Sequence, residues 1–308
     1  MSTNLLAVDG GQTGIKLRWN LQGAAGELLL PGVRTHQPIL PQLAAAIDKA
    51  AQQAGGKFHV VAVGATGLTR AEHDAGALLG LLQAHVQTEV LLAHDSVTSY
   101  LAALADAKGA VVAAGTGVVT LAVGEESVAR VDGWGNIMGD AGSAYWIGQQ
   151  VLTAVMRAHD GRGPATELRH SVAALWPDLE EAYIDLQSSA QRVATVASFA
   201  KTASQLAGED EVAAQICTAA AKELALSAAT ALERVGGRTQ EPVACLGGVF
   251  GSELIRGQFA ARLARLRPQA VVVDTSGTGL DGAQRLAALS HKHPLQSLIS
   301  RACVQPAA

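Results

Sequence analysis

The chain has 308 residues, of which 49% are hydrophobic and 16% charged, and its formal net charge at neutral pH is −4. This composition excludes intrinsic disorder, and the acidic balance with few aromatic residues excludes a basic, base-stacking nucleic-acid surface. The longest charge-free apolar stretch, residues 109–124, is too short and too rich in glycine to span a membrane. Three isolated cysteines and an N-terminus without a basic region predict a cytoplasmic protein. The length of the chain predicts two domains.

The first third of the chain alternates strands with glycine turns and then helices. Apolar and alternating patterns predict strands at residues 5–8, 15–19, 27–30, 58–63 and 89–93. Helical periodicity predicts helices at residues 38–53, 72–84 and 97–105. Strands that end in glycines and alternate with helices are typical of the α/β class.

The pattern then restarts. Strands are predicted at residues 110–114, 118–123, 128–131, 243–246 and 270–274, and helices through residues 143–236 and at 252–266 and 280–290. The second strand–glycine–strand unit resembles the first, which predicts a duplicated β-meander. We expect domains at residues 1–107 and 108–308, with a helical insert at about 150–236. The last helix, at about 280–292, is free to pack back on the first domain, and the tail after His293 is expected to be frayed.

The first candidate site is the turn Asp9-Gly10-Gly11-Gln12-Thr13, which follows an apolar strand. Glycines let backbone N–H groups approach a phosphate, Thr13 adds a hydroxyl donor, and Asp9 can hold Mg²⁺ directly or through water. The alternative is an ordinary hairpin turn, for which Asp-Gly is a strong signal.

A second turn of this kind, Gly115-Thr116-Gly117, lies between two apolar strands. It also offers backbone N–H groups and one hydroxyl, although a simple hairpin explains it equally well. Two such turns in one chain predict two phosphate-binding loops. Gly247-Gly248 follows a third apolar strand and lets the backbone approach a flat group, or it forms a plain strand–helix turn.

Asp95 follows an apolar strand and opens a helix. A carboxylate at the carboxyl end of a strand points to where α/β proteins bind ligands, and it can accept a proton from an attacking hydroxyl. The alternative is that Asp95 is a helix N-cap, a role that Ser96 could share.

The densest stretch is residues 132–148, which carry two tryptophans, two acids and five glycines. Aromatic faces beside a few polar groups are typical of a small-molecule pocket. Trp146 is predicted to be core. The remaining candidates are predicted to have no functional role. Lys16 is expected to be a solvated edge lysine, His291 and His293 to lie at a solvated helix end, and Cys217 and Cys245 to be small buried residues.

Four segments resemble the actin/hexokinase/heat-shock-ATPase superfamily. They are LLAVDGGQTGIKL and VVAAGTGVVTLAVG for its two phosphate loops, LLAHDSVTSY for the segment with the catalytic base, and VACLGGVFGSELI for its adenosine motif. Within it the chain is most similar to the N-acetylglucosamine kinase branch, shared with the benzoyl-CoA-reductase-type ATPases (BadF/BadG/BcrA/BcrD-like). That branch carries a GWG…GDEGSAYWIG segment, which Gly133–Gly135 and Gly139–Gly148 match.

The resemblance implies two actin-like (ribonuclease H-like) domains with mixed sheets and an interdomain cleft that holds ATP. It implies Mg²⁺ near Asp9 and Asp95 as the base that takes the proton of a sugar 6-hydroxyl. The acceptor it implies is an amino sugar, with N-acetylglucosamine first, and the protein would be a homodimer. The residues it implies for ATP and phosphate are Gly10, Gly11, Gln12, Thr13, Gly115, Thr116, Gly117, Gly247 and Gly248. The candidate sugar contacts are Thr66, Trp134, Gly135, Asp140 and Ser143, together with His36 or Gln37 in the region where the family has a sugar-contacting Asn that has no clear counterpart here.

The sequence departs from the family on the sugar side. Val118 and Val119 stand where the kinases usually have Ser-Asn, and Ala141 replaces a Glu. The acceptor therefore stays open among N-acetylglucosamine, glucosamine, N-acetylmannosamine and a muramic acid derivative. Two further readings also stay open: an ATPase activator with an iron–sulfur cluster, which the unpaired cysteines disfavour, and a sugar-sensing protein without turnover.

Overall fold

The described residues form two units, each built round one mixed β-sheet. The structure is a computed structural model that describes residues 4–82, 85–236 and 240–304. Unit 1 takes the residues up to Lys108, Glu125–Val128 and the residues from Thr275 onward, and unit 2 takes Gly109–Gly124 and Ala129–Asp274. The elements in chain order are β1 (Leu5–Gly10), β2 (Ile15–Leu21), β3 (Ala24–Leu30), α1 (Ile39–Ala54), β4 (Phe58–Ala65), α2 (Ala75–Leu82), β5 (Val86–His94), α3 (Asp95–Leu104), β6 (Gly109–Ala114), β7 (Val118–Val123), β8 (Val128–Val131), α4 (Ala144–His159), α5 (Leu168–Leu175), α6 (Ala182–Ser188), α7 (Arg192–Leu206), α8 (Glu211–Arg234), β9 (Glu241–Leu246), α9 (Glu253–Leu266), β10 (Ala270–Val273), α10 (Gly279–Ala288) and β11 (Ile299–Cys303).

The two sheets repeat one strand order. In unit 1 the order is β11-β5-β4-β1-β2-β3, and in unit 2 it is β10-β9-β6-β7-β8. In each sheet the first strand pairs antiparallel with the second and parallel with a later strand, as β1 does with β2 and β4 and β6 does with β7 and β9. The prediction of an α/β fold with a duplicated β-meander and mixed sheets is therefore confirmed.

The central strands of unit 1 are buried because helices cover them. β4 is buried at all but one of its eight positions, as expected for a parallel strand that packs on both faces. α1 presents a continuous apolar stripe to the core that includes Leu43 and Ile47, and it ends at Gly55 in the left-handed conformation that glycine favours. This packing fixes the carboxyl ends of β1, β4 and β5 at one edge of the sheet.

Small residues lie where the helices of unit 2 pack against one another. The buried face of α8 is mostly alanine, which lets neighbouring helices approach closely. A Cβ at Gly148 on α4 would lie 1.8 Å from the Val196 carbonyl oxygen on α7, so only glycine fits where these two helices meet. The predicted helical region 143–236 consists of the five helices α4–α8. None of the helices among the described residues has the length and apolarity to cross a bilayer.

The C-terminal segment differs from the prediction. Its residues do not fray after His293: they form a 3₁₀ turn at Pro294–Leu298 and then β11, which pairs antiparallel with β5 from Ile299 opposite Ala93 to Cys303 opposite Glu89. The helix predicted at 280–292 is α10, which packs on α3 and β1 inside unit 1. The last two residues of the helix predicted at 72–84 lie outside the described residues.

Candidate functional site

The site in unit 1 lies at the carboxyl edge of its sheet. Asp9 is opposite Gly64 in the parallel pairing of β1 with β4, and Ala65 is opposite His94 in the pairing of β4 with β5. Asp95 follows His94 directly as the first residue of α3. The two predicted acids therefore stand at the same edge, two strands apart, where α/β proteins bind ligands.

Asp9 is a half-buried carboxylate between one positive and one negative neighbour, Lys16 and Asp95. Burial raises its pKa, the nearby Lys16 lowers it, and the carboxylate of Asp95 raises it again. The Lys16 Nζ lies 3.7 Å from an Asp9 oxygen, so this lysine is not the purely solvated residue that the sequence predicted. Two acids that repel each other at a sheet edge are a donor set that suits a divalent cation.

Asp95 is not the helix cap that the alternative reading required. The N-cap of α3 is His94, and its side chain makes no capping hydrogen bond. Within the described part of the chain, the Asp95 carboxylate has no hydrogen bond or ion pair. Its hydrogen-bonded atom is the backbone oxygen, which accepts the Thr98 hydroxyl at 3.1 Å. The half-buried carboxylate is thus available to a ligand.

The first glycine turn is held by its own backbone and by two neighbouring segments. Gly11 N–H donates to the Gly14 carbonyl at 3.1 Å, and Thr66 N–H donates to the Gly10 carbonyl at 3.0 Å. The side chains of Gln12 and Thr13 are exposed. The turn therefore presents polar groups to solvent beside the edge that carries Asp9.

The segment with His36 and Gln37 runs along this turn. Val33 N–H donates to the Gly11 carbonyl at 3.0 Å, and a Cβ at Gly67 would lie 2.6 Å from the Thr35 side chain. His36 and Gln37 are exposed. The structure thus brings the segment that carries them close to the first phosphate turn and to Thr66.

In unit 2 the turn Gly115-Thr116-Gly117 is docked on the first turn of α4. Ala144 N–H donates to the Gly115 carbonyl at 2.9 Å and Tyr145 N–H to the Thr116 carbonyl at 3.1 Å. The Thr116 side chain is exposed. Two of the orphan N–H groups that begin α4 are thereby satisfied, and the turn is rigidly placed.

A single carboxylate organises the loop that follows β8. Asp132 accepts backbone N–H groups from Gly133 at 2.7 Å, Asp140 at 2.7 Å and Ala141 at 2.9 Å. Both Asp132 and Asp140 have positive φ, at 59° and 60°. The sequence analysis noted Asp132 only as one of two acids in this stretch. Residue spacing does not reveal that its carboxylate accepts N–H groups from residues eight and nine positions later in the chain.

Asp140 is buried beside the second glycine turn. A Cβ at Gly117 would lie 2.6 Å from an Asp140 carboxylate oxygen, so glycine is required there on steric grounds. Burial raises the pKa of Asp140, backbone hydrogen bonds with Val118 and Gly135 lower it, and Asp132 raises it. Asp140 and the Gly115–Gly117 turn are therefore one structural group.

The other predicted residues of this loop differ in accessibility. Trp134 is 57% exposed with the Arg130 guanidinium 4.5 Å above its ring centre, and Gly135 is exposed. Ser143 is fully buried, and its hydroxyl caps α4 by accepting Trp146 N–H at 3.2 Å. Ser143 thus has a structural role that the prediction of a sugar contact did not include.

The three residues that depart from the family pattern have different surroundings. The Val118 side chain is buried in the core of unit 2, and the half-buried Val119 lies against Gly133. Ala141 supplies one of the N–H groups that Asp132 accepts. The side chain of Val118 therefore says nothing about the acceptor, whereas Val119 borders the loop that carries Trp134.

Gly247 and Gly248 form the third turn, and it meets the second. A Cβ at Gly247 would lie 2.2 Å from the Ala114 carbonyl oxygen, and the residue has a φ of 94°. Gly248 has open space where its side chain would be. It lines a cavity of about 680 Å³ together with Gly115 and Thr116, within the range of small-ligand pockets.

The far wall of this cavity was not predicted. It consists of α7 residues that include Ser198, Lys201 and Gln205, none of which the sequence analysis singled out as a site residue. The polar side chains fall three and four residues apart and so lie on one face of α7. That spacing is the signal that could have marked the helix as a pocket wall.

Among the described residues, no three His, Cys, Asp or Glu side chains group into a preformed metal site. Mg²⁺ keeps several waters and is usually held by one or two carboxylates together with substrate phosphates. Asp9, with Asp95 at the same edge, fits that requirement.

Two curated proteins resemble the chain. An N-acetyl-D-glucosamine kinase from Dictyostelium discoideum is 29% identical over 194 residues, which are 60% of this chain and 60% of that protein. An N-acetylmuramic acid/N-acetylglucosamine kinase from Clostridium acetobutylicum is 31% identical over 27% of this chain and 28% of its own length. The chain therefore matches less than two thirds of the length of either relative.

The fold has a close match among solved structures. A candidate N-acetylglucosamine kinase from Chromobacterium violaceum superposes with a TM-score of 0.72 at 23% identity, over 93% of this chain and 99% of that one. A family model described as the BadF/BadG/BcrA/BcrD ATPase family matches residues 8–284. The resemblance found in the four sequence motifs is thereby confirmed, and the chain belongs to the BadF/BadG/BcrA/BcrD ATPase family.

Proposed function

We propose that this protein is an ATP-dependent sugar kinase that transfers the γ-phosphate to the 6-hydroxyl of an amino sugar, with N-acetylglucosamine as the first acceptor to test. The observation that carries the proposal is the pair of acids at the sheet edge of unit 1. Asp95 stands there as a carboxylate without a capping role, next to the interacting acid Asp9. The names of the two curated relatives support the same activity and leave N-acetylmuramic acid as the second acceptor.

Each unit has a distinct part in the proposed reaction. The cavity of unit 2 receives the nucleotide, with the turns at Gly115–Gly117 and Gly247–Gly248 beside it and α7 as its outer wall. The exposed N–H groups of glycine turns bind phosphate oxygens without steric hindrance. In unit 1, the turn that contains Gln12 and Thr13 exposes both side chains as donors for a phosphate.

Asp95 performs the proton transfer. It accepts the proton of the acceptor hydroxyl as that oxygen bonds to the γ-phosphorus, while the bond from the γ-phosphorus to the β-phosphate oxygen breaks and ADP leaves. Asp9 would hold Mg²⁺, directly or through water, and the bound ion would neutralise charge on the phosphates. The protein has little further covalent chemistry to do, because phosphoryl transfer depends mainly on alignment and electrostatics.

We further propose a cytoplasmic homodimer. The three cysteines are free thiols, which suits a reducing compartment. The dimer rests on the family resemblance alone, and sedimentation of the purified protein would test it.

The test is coupled ADP release with Mg·ATP and a panel of N-acetylglucosamine, N-acetylmuramic acid, N-acetylmannosamine, glucosamine and glucose. Asp95→Asn is expected to lower turnover by about 10²–10⁴-fold, the usual contribution of a general base. The matched control is Asp106→Asn, an exposed acid beyond the other end of α3, which is expected to keep wild-type turnover. Sugar-independent ADP release, or full turnover in Asp95→Asn, would refute the kinase proposal.

A further inference from the structure

The first turn of α10 closes directly on Asp9. An ideal Cβ at Gly279 would lie 2.5 Å from the carboxyl carbon of Asp9 and 2.6 and 2.7 Å from its two oxygens. Gly279 has no left-handed φ, so the need for glycine there is steric. The helix therefore forms a wall against one side of the carboxylate, and any side chain at this position would push the carboxylate away.

α10 has no room to retreat toward α3. A Cβ at Gly282 would lie 1.8 Å from the Thr98 carbonyl oxygen, and one at Gly277 would lie 2.1 Å from the Ala102 carbonyl oxygen. The two segments are thus in backbone contact at both points. Because α3 begins at Asp95, the same helix contacts the elements that carry both acids.

An ion pair ties the first turn of α10 to β2. Arg18 Nη1 lies 2.7 Å from Asp281, and Asp281 also accepts Thr278 N–H at 2.7 Å in a capping box. The Thr278 hydrogen bonds and then Arg18 lower the pKa of Asp281 to about 2. Arg18 lies on β2, the strand that pairs with β1 and places Lys16 opposite Asp9. The Arg18–Asp281 ion pair therefore lies one strand away from Asp9.

We propose that the first turn of α10 is a positioning element for Asp9, with Gly279 as the positioning residue and the Arg18–Asp281 pair as its anchor. The wall that Gly279 makes fixes the direction in which Asp9 presents its oxygens. This inference rests on the proposed function, because the group that Asp9 is positioned to meet is the Mg²⁺ that accompanies the nucleotide.

The test measures binding, which does not require turnover. The dissociation constant of ADP is measured by calorimetry with and without Mg²⁺, in the wild type and in Gly279→Ala. Mutating an outer-shell residue that orients a metal ligand usually costs 10–100-fold in metal affinity. We therefore expect the Mg²⁺-dependent gain in ADP affinity to fall by about 10-fold or more in the variant, while metal-free ADP binding stays within about twofold.

Two further comparisons separate positioning from damage to the fold. Gly257→Ala is the matched control, because Gly257 is an exposed glycine on α9 with open space at its Cβ position. If Gly279→Ala does not fold, Arg18→Met takes its place, since it removes the anchor without adding bulk at Asp9. Arg18→Lys restores one charged contact, so we expect it to recover part of the Mg²⁺-dependent gain.

The outcomes are distinct. A folded Gly279→Ala that keeps the whole Mg²⁺-dependent gain overturns the inference, and so does a wild type whose ADP affinity is indifferent to Mg²⁺. If Gly279→Ala does not fold, an Arg18→Met variant with the full gain overturns it. A wild type that shows the gain but phosphorylates no sugar refutes the proposed function and leaves the positioning of Asp9 intact.

Discussion

Replacing Asp132 by alanine is expected to destabilise unit 2 far more than replacing it by asparagine. The carboxylate accepts three backbone N–H groups, from Gly133, Asp140 and Ala141, and its own φ is 59°. Alanine loses all three bonds and is strained at that φ, so the free energy of unfolding should fall by about 3–8 kcal/mol. Asparagine tolerates that φ and keeps the two bonds to Oδ1, so its cost should be about 1–2 kcal/mol.

Urea denaturation followed by tryptophan fluorescence measures this difference. Three of the four tryptophans lie in unit 2, at residues 134, 146 and 176, so the signal reports mainly on that unit. The midpoint should shift with an unchanged slope, because the surface exposed on unfolding is the same. Asp160→Ala is the control, since its ion pair with Arg162 is at the surface. Equal midpoints for Asp132→Ala and Asp132→Asn would refute the role assigned to the three hydrogen bonds.

Three further predictions concern the nucleotide pocket, a buried histidine and a buried ion pair. In Gly248→Leu the new side chain fills the cavity of unit 2 without a clash, because the Cβ position of Gly248 is open space. The affinity for ATP should fall by about 10-fold or more while the melting temperature stays unchanged. An unchanged affinity would refute the assignment of this cavity as the nucleotide pocket. Burial lowers the pKa of His293, and the neutral ring accepts Leu295 N–H at Nδ1. The neutral imidazole therefore stabilises the fold fully at pH values above the unfolded-state pKa of about 6.5, and this stabilisation is lost as the pH falls below that value. His293→Gln should therefore reduce the drop in melting temperature between about pH 7.5 and about pH 5.5, and an unchanged drop would count against this assignment. Arg267→Met removes the two guanidinium hydrogen bonds to the buried Glu241 carboxylate and should lower the free energy of unfolding in urea denaturation by about 1.5–3 kcal/mol for each bond.

Local patterns in the sequence were sufficient for the framework of both units. Each glycine turn follows a strand, and the strand order of the second sheet repeats that of the first. The helices and strands fall within a few residues of their predicted bounds, because apolar periodicity and flanking glycines are local properties. The placement of Asp95 at the start of a helix could also be predicted for the same reason.

Features that depend on distant partners could not be predicted. β11 is a five-residue strand, Ile-Ser-Arg-Ala-Cys, that has no polar–apolar alternation, and its stability comes from pairing with β5, some 200 residues earlier in the chain. His293 was expected to be solvated, but it is buried and its Nε2 lies 3.3 Å from the Asp106 carbonyl oxygen. Lys16 was expected to be a free edge lysine, yet its partner Asp9 is opposite it on the paired strand.

The candidate site shows the same division. The acids and glycines that carry the proposed chemistry have sequence signals, because strand ends and turns require particular residue types. The residues that hold them, such as Asp132 and Gly279, act through contacts that only the folded chain creates. Val118 illustrates the reverse error, since a residue that differs from the family pattern proved to face the core.

The division of unit 1 between the two ends of the chain has a consequence for its synthesis. α10 and β11 belong to unit 1 but are translated after every element of unit 2. During elongation, β5 therefore emerges with an unpaired edge, and Asp9 lacks the helix that later closes on it. Since domains generally fold as units in the order of their synthesis, unit 2 can fold on the ribosome while unit 1 waits for its final strand. A nascent chain stalled before residue 275 should accordingly hold a protease-resistant unit 2 and a protease-sensitive unit 1.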